Sequence, residues 1–137
     1  MTSLLIPPVR RHEPRAPVAI HATATDGTFV LDFGVNQAMQ CSLKIETDGT
    51  LAGTALRLRH AEQVDAAGGI VISNDLGSQI DRTTFILGPA AGVQEFETHF
   101  AYFGARFVEV SGWPAASAPT TDSMVQGKTD RGFRGLT

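Results

Sequence analysis

The fold class that this sequence predicts is a single antiparallel β-sandwich with no substantial helix. Three observations carry the prediction. Short segments alternate apolar and polar residues at period two, the repeat of a strand with one buried face. Turn signals separate them about every eight to twelve residues, the spacing of sandwich strands. No segment longer than about ten residues holds a helical period. The chain has 137 residues, which suits one core, and its 42% hydrophobic and 18% charged residues fit a packed domain.

Residues 1–18 carry Pro7, Pro8, Pro14 and Pro17 and read as an extended arm, because proline disfavours helix and ladder pairing. Residues 19–114 read as the sandwich. Ala19–Thr25 is a short edge strand, and Asp26-Gly27 is a hairpin turn. Phe29, Leu31 and Phe33 share one face of the next strand, which Gly34 is expected to end. Cys41, Leu43 and Ile45 share a face of Gln40–Thr47, before a second turn at Asp48-Gly49. In Ala55–Glu62, Leu56 and Leu58 point one way and Arg57 and Arg59 the other. Gln63–Gly69 is a loop, Ile70–Ile72 a short apolar run and Ser73–Gln79 a polar loop. Asp81–Leu87 is a strand with apolar residues on both faces.

Phe96–Pro114 is the densest stretch. It holds the only Tyr, the only Trp and four of the eight Phe. It predicts the central strand pair, with Phe100, Tyr102, Val108 and Val110 in the core and a kink at Gly104. Residues 115–137 are small and polar and read as a linker-like tail.

Net charge is −3, which lacks the basic footprint of nucleic-acid binding. No apolar run approaches the roughly 18 residues of a membrane span. The opening MTSLLIPPVRR places its apolar piece before its charges, so no signal peptide is read. The compartment is cytoplasmic by default, or outside the cell if the chain is part of a larger exported protein. The single Cys41 excludes an internal disulfide and reads as a buried strand thiol.

Motifs for catalysis are missing. His12, His21, His60 and His99 are dispersed, without metal-ligand spacing, and no metal site is expected. Glu62 with Asp65, and Glu95 with Glu97, are the nearest carboxylate pairs; they read as loop capping and as a solvated face. A sugar site needs an aromatic platform and planar polar groups. Trp113, Tyr102 and Phe107 would supply the first, and Asn74, Asp75, Gln79 and Asp81 the second, or oxygen ligands for Ca²⁺. The simpler reading of Trp113 is a plug at the sandwich bottom.

Four motifs in order mark a family. They are Pro7-Pro8-Val9-Arg10, Leu31-Asp32-Phe33-Gly34-Val35-Asn36, Leu58-Arg59-His60-Ala61-Glu62, and Phe100 through Gly112. Together they resemble the concanavalin-like, jelly-roll β-sandwich domain of bacterial alpha-L-rhamnosidases, glycoside hydrolase family 78. The sequence departs from that pattern at Val35-Asn36, at Thr83-Thr84-Phe85 and at Phe103-Gly104-Ala105-Arg106. The resemblance implies a non-catalytic module beside an (α/α)₆ barrel that carries the acidic catalytic residues, in cis or as a separate chain. Two other readings stand beside it: a binding module for rhamnosylated glycans, and a minimal glycosidase. Three structural expectations follow. Glu62 and Arg106 form an ion pair, since a buried carboxylate needs a partner. Phe107 and Phe103 face outward, as a docking surface for a partner domain. A sandwich without its partner would pair into a homodimer through that surface.

Overall fold

The structure is a computed structural model that describes residues 10–72, 82–99 and 101–130. Its strands are β1 (Arg10–Arg15), β2 (Ala19–Ala22), β3 (Phe29–Thr47), β4 (Ala55–Ala61), β5 (Gln63–Val64), β6 (Ile70–Val71), β7 (Arg82–Ile86), β8 (Gly92–Glu97), β9 (Phe103–Ser111) and β10 (Met124–Asp130). No helix occurs among the described residues. All pairings are antiparallel.

Eight strands form one hydrogen-bonded sheet in the order β1-β10-β3-β9-β4-β7, with β2 and β8 also on β3. The 19-residue β3 folds this sheet into two layers. Its first part, Phe29–Asp32, lies between β2 and β9. Its last part runs beside β10 at Met39–Leu43 and beside β8 at Ser42–Thr47. Leu31 and Phe33 from the first part meet Cys41, Leu43 and Ile45 from the last in one core. Met39, Leu56, Leu58, Leu87, Ala105, Val108, Val110, Trp113 and Met124 join them. At the open side, Phe85 of β7 stacks on Phe96 of β8 with ring centroids 5.2 Å apart.

Gly34 does not end a strand. With φ +77° it sits inside β3, where the register passes from Asp32↔Phe107 to Gln37↔Ala105. Phe33–Asn36 therefore lie opposite the single residue Arg106, a large irregular bulge that turns β3 from one layer to the other. The same irregularity shifts the pattern of β9. Phe103 and Ala105 are buried before it, and Val108 and Val110 after it. Gly104, expected as a kink, is an ordinary rung opposite Ala38. The corner of the aromatic stretch lies instead between β8 and β9. Tyr102, expected in the core, is 61% exposed there, because it precedes the first rung of β9. Phe100 lies outside the described residues.

Both expected boundaries move. Residues 115–137 are not simply a linker, since Met124–Asp130 forms β10 between β1 and β3. Within 1–18, Arg10–Arg15 is a strand rather than an unpaired arm. Its ladder skips from His12↔Lys128 to Arg15↔Gln126, leaving Glu13 and Pro14 opposite one residue. Proline has no N–H to give, and an edge strand with a bulge accommodates it.

Gly112 (φ +82°) shows how closely the end of β9 approaches the start of its neighbour β4, because a β-carbon there would collide with the carbonyl of Ala55. Gly53 has a similar φ, +84°, and open space around it. In urea unfolding, Gly53→Ala is expected to lose about 1–2 kcal/mol from the left-handed backbone alone. Gly112→Ala loses distinctly more, because a backbone carbonyl must also move. Equal losses would show that the close approach to Ala55 has no energetic weight.

Candidate functional site

The bulge is held by a bidentate ion pair. Arg106 donates from Nε to Asp32 Oδ1 and from Nη2 to Asp32 Oδ2, each at 2.8 Å. The same Oδ1 accepts the backbone N–H of Gly34 at 2.7 Å. That bond closes a short turn, which the positive φ of Gly34 makes accessible. The backbone carbonyl of Asp32 accepts the N–H of Val18 at 2.7 Å, which ties in the segment leading to β2. The Arg106 guanidinium also lies over the Phe107 ring, 4.9 Å from its centroid.

These contacts set the chemistry. The hydrogen bonds from Arg106 hold the Asp32 carboxyl below its usual value. Partial burial opposes them, and the Gly34 N–H and the charges of Arg106 and His21 reinforce them. Asp32 in turn holds Arg106 above its usual value. A carboxylate with both oxygens engaged and its proton disfavoured is poorly placed as a general acid. Its geometry is that of a clamp.

A second polar group lies within the core. His60 of β4 is 2% exposed and stacks on Phe103 at 3.9 Å, with an interplanar angle of 7°. Its Nε2 is 3.4 Å from Cys41 Sγ on the opposite layer. Burial pushes the Cys41 thiol up to about 12, so it stays neutral and is no nucleophile near neutral pH. The expectation of a buried strand thiol holds.

The other expected residues do not converge. Glu62 is exposed, and the partner of Arg106 is Asp32, not Glu62. The burial that would have forced Glu62 into a pair is not there, because β4 ends at Ala61. Phe103 and Phe107 are 7% and 8% exposed. They are not a docking surface, since His60 and Arg106 already cover their faces. Trp113 is 5% exposed and joins the core. Its Nε1 donates to Ser117 Oγ at 3.2 Å, so the indole is a plug and offers no sugar platform. Among the described residues, Tyr102 alone of the expected aromatics is open to solvent. Asn74, Asp75, Gln79 and Asp81 lie outside the described residues.

Asp65 caps its own loop, with Oδ1 accepting the N–H groups of Ala67 and Gly69. Glu95 pairs with Lys44 at 2.8 Å in solvent, and Glu109 pairs with Arg59 at 2.8 Å. Among the described residues no three His, Cys, Asp or Glu side chains gather where a metal ion could be held. The residue that sequence reasoning missed is Asp32. Its signal was available: an acidic residue two before a glycine, on a strand able to pair with the one carrying Arg106.

A family model described as the bacterial alpha-L-rhamnosidase concanavalin-like domain matches residues 22–129. An alpha-L-rhamnosidase of Streptomyces avermitilis is 38% identical over 95 residues, 69% of this chain and 9% of that protein. One from an Alteromonas strain is 29% identical over 118 residues, 86% of this chain and 12% of that protein. The chain thus spans about a tenth of the length of these relatives. The alpha-L-rhamnosidase structure from Dictyoglumus thermophilum superposes with a TM-score of 0.82 at 27% identity, over 93% of this chain and 14% of that one. The Streptomyces avermitilis enzyme, complexed with L-rhamnose, gives 0.79 at 30% identity, over 94% of this chain and 12% of that one.

Two measurements probe this site. Asp32→Asn is expected to lower the melting temperature at neutral pH. The folded carboxyl titrates below its unfolded counterpart, so the unfolded chain takes up the proton first as pH falls. The stability due to the pair is therefore full above about pH 4, the unfolded value, and fades below it. The gap between native chain and variant should narrow in acid; a gap constant down to the acid limit would exclude Asp32 as its source. Separately, Cys41 should resist alkylation at pH 8 in the native chain and react fully in denaturant. Rapid labelling of the native chain would show that the core around His60 opens readily.

Proposed function

From the premise that this chain belongs to the bacterial alpha-L-rhamnosidase concanavalin-like domain family, we propose that it is a non-catalytic β-sandwich module. It supports a separate catalytic (α/α)₆ barrel, joined in cis or supplied as another chain, that removes terminal L-rhamnose from glycosides. The observation that carries this reading is a mismatch of scale. The family model takes in most of the chain, 22–129, yet the chain corresponds to only 9% and 12% of the curated relatives.

The side chains support the same reading. Glycoside hydrolysis needs two carboxyl groups facing each other across a sugar bond, one of them able to carry a proton. Here Asp32 is clamped by Arg106 and Glu109 is paired with Arg59. Asp65 and Asp48 are bonded within their own turns. These bonds build strands and turns, and a rigid body of this kind suits positioning a neighbour.

The test is turnover of an aryl alpha-L-rhamnoside. The purified chain alone is expected to give none, and the catalytic barrel encoded with it should lose activity or stability when the sandwich is removed. Hydrolysis by the chain alone, abolished in Glu62→Gln, would overturn the proposal in favour of a minimal glycosidase. A calorimetric heat with L-rhamnose that vanishes in Tyr102→Ala would overturn it in favour of a binding module.

A further inference from the structure

We propose that the bulge end of the sandwich, centred on Val18 and Val35, is the surface on which the catalytic barrel docks; the inference rests on the reading just given. Val18 is 68% exposed and Val35 is 43% exposed. They flank Gly34, where a β-carbon would lie 3.5 and 3.6 Å from the two γ-carbons of Val18. Both are β-branched side chains presented to solvent beside a strand irregularity, with exposed Asn36 and Ala38 around them. Tyr102, 61% exposed, enters β9 beside the Met39↔Phe103 rung at the flank of the same region.

Three features single out this end. The first is connectivity. Arg10 pairs with Asp130, so residues 1–9 and 131–137 both join the described sandwich at one place. Lys128 pairs with Met39, and β10 runs antiparallel to β3. Asp130 therefore lies on the Gln37 side of that rung, toward the bulge. A domain attached beyond β10 meets this end first. Among the described residues, the remaining exposed large apolar side chains belong to other places: Val64 and Val71 to the β5–β6 hairpin, and Ile86 and Val93 to β7 and β8.

The second feature is rigidity. The clamp between Asp32 and Arg106, with the Gly34 N–H on the same carboxylate, fixes the backbone that carries Val35. A preformed apolar knob docks with little ordering cost. The third is charge. Arg106 is half exposed beside this knob, but its charge is already matched by Asp32. A partner can cover a matched pair without stranding a charge, which an unpaired arginine would not allow. The occupant follows from length. The curated relatives extend about tenfold beyond this chain's share, and interfaces between domains of one protein usually bury about 600–1,500 Å². The two valines are then the apolar centre of such a contact, with Asn36 and Ala38 toward its rim.

Hydrogen–deuterium exchange tests the proposal on the chain alone and on the chain joined to, or mixed with, the catalytic barrel encoded with it. Amides in 34–38 are expected to exchange at least about tenfold more slowly in the presence of the barrel. Val18→Asp with Val35→Asp should weaken the association by about tenfold or more, a loss easily resolved in Kd. Ile86→Asp with Val93→Asp should leave it unchanged. A melting curve of the isolated double variant checks that it folds; Val18→Ser with Val35→Ser replaces it if it does not. Protection confined to 86–97, with the Val18 and Val35 variants binding normally, would overturn this surface and leave the supporting role intact. No protection anywhere and no association would overturn both.

Discussion

Strand β3 has to serve two layers, and the Asp32–Arg106 clamp is what lets it. A strand of 19 residues running straight would extend about 60 Å, far beyond a domain of this size. It must bend, and bending opens backbone groups that need partners. The bend is placed at Phe33–Asn36, where four residues face one. Asp32 then takes up the Gly34 N–H with the same carboxylate oxygen that accepts Arg106 Nε. One side chain thereby satisfies the turn and ties it to the neighbouring strand. The consequences spread outward. Because β3 turns there, Leu31 and Phe33 come to share a core with Cys41, Leu43 and Ile45. Because β9 follows the turn, its buried face changes, and Phe107 ends on the other side from Val108, under the guanidinium.

Much of this was legible in the sequence. Strands with a simple alternation were found with the right faces: Leu56 and Leu58 of β4, and Cys41, Leu43 and Ile45 of β3. Turn chemistry was equally clear, since Gly27 and Gly49 both adopt the positive φ their Asp-Gly pairs imply. Trp113 as a plug followed from its place at a strand end. The bulge was not legible, because a break in period reads the same whether a strand ends or bends. The sequence therefore predicts a stop at Gly34 and a kink at Gly104, whereas the bend lies at the first and an ordinary rung at the second. Phe107 does lie on the face opposite Val108, but that face is covered as well, by Arg106 over Phe107 and by His60 on Phe103, so neither ring is open. Strand β10 was hidden differently. Its sequence, MVQGKTD, is polar, and it is a strand because β1 and β3 flank it. Tertiary pairing of that kind leaves little trace in local composition.

At the level of chemistry, the polar side chains divide by what they bind. His60 and Cys41 meet inside the core, where burial keeps the thiol neutral. Asp32, Glu109, Glu95, Asp65 and Asp48 all find partners within strands or turns. Asp32, Gly34 and Glu109 of the quoted motifs thus acquire structural roles. Asp32 and Gly34 belong to one motif and Arg106 to another, and the two are halves of a single contact. His60, from a third, packs on Phe103 beside it. A family signature that resembled a scattering of polar residues is largely the wiring of one bend and the core next to it.

The position of β10 has a consequence for synthesis. In the described sheet, β1 is held only by β10, and β10 lies between it and β3. During translation, Arg10–Arg15 must wait for more than a hundred residues before its partner exists. Until Met124–Asp130 leaves the ribosome, the edge of β3 at Met39–Leu43 stays open and able to pair with another chain. Pairings so distant in sequence fold slowly. The nascent sandwich is thus most vulnerable just before it is finished, and a helper that shields one strand edge at that moment would protect the whole domain.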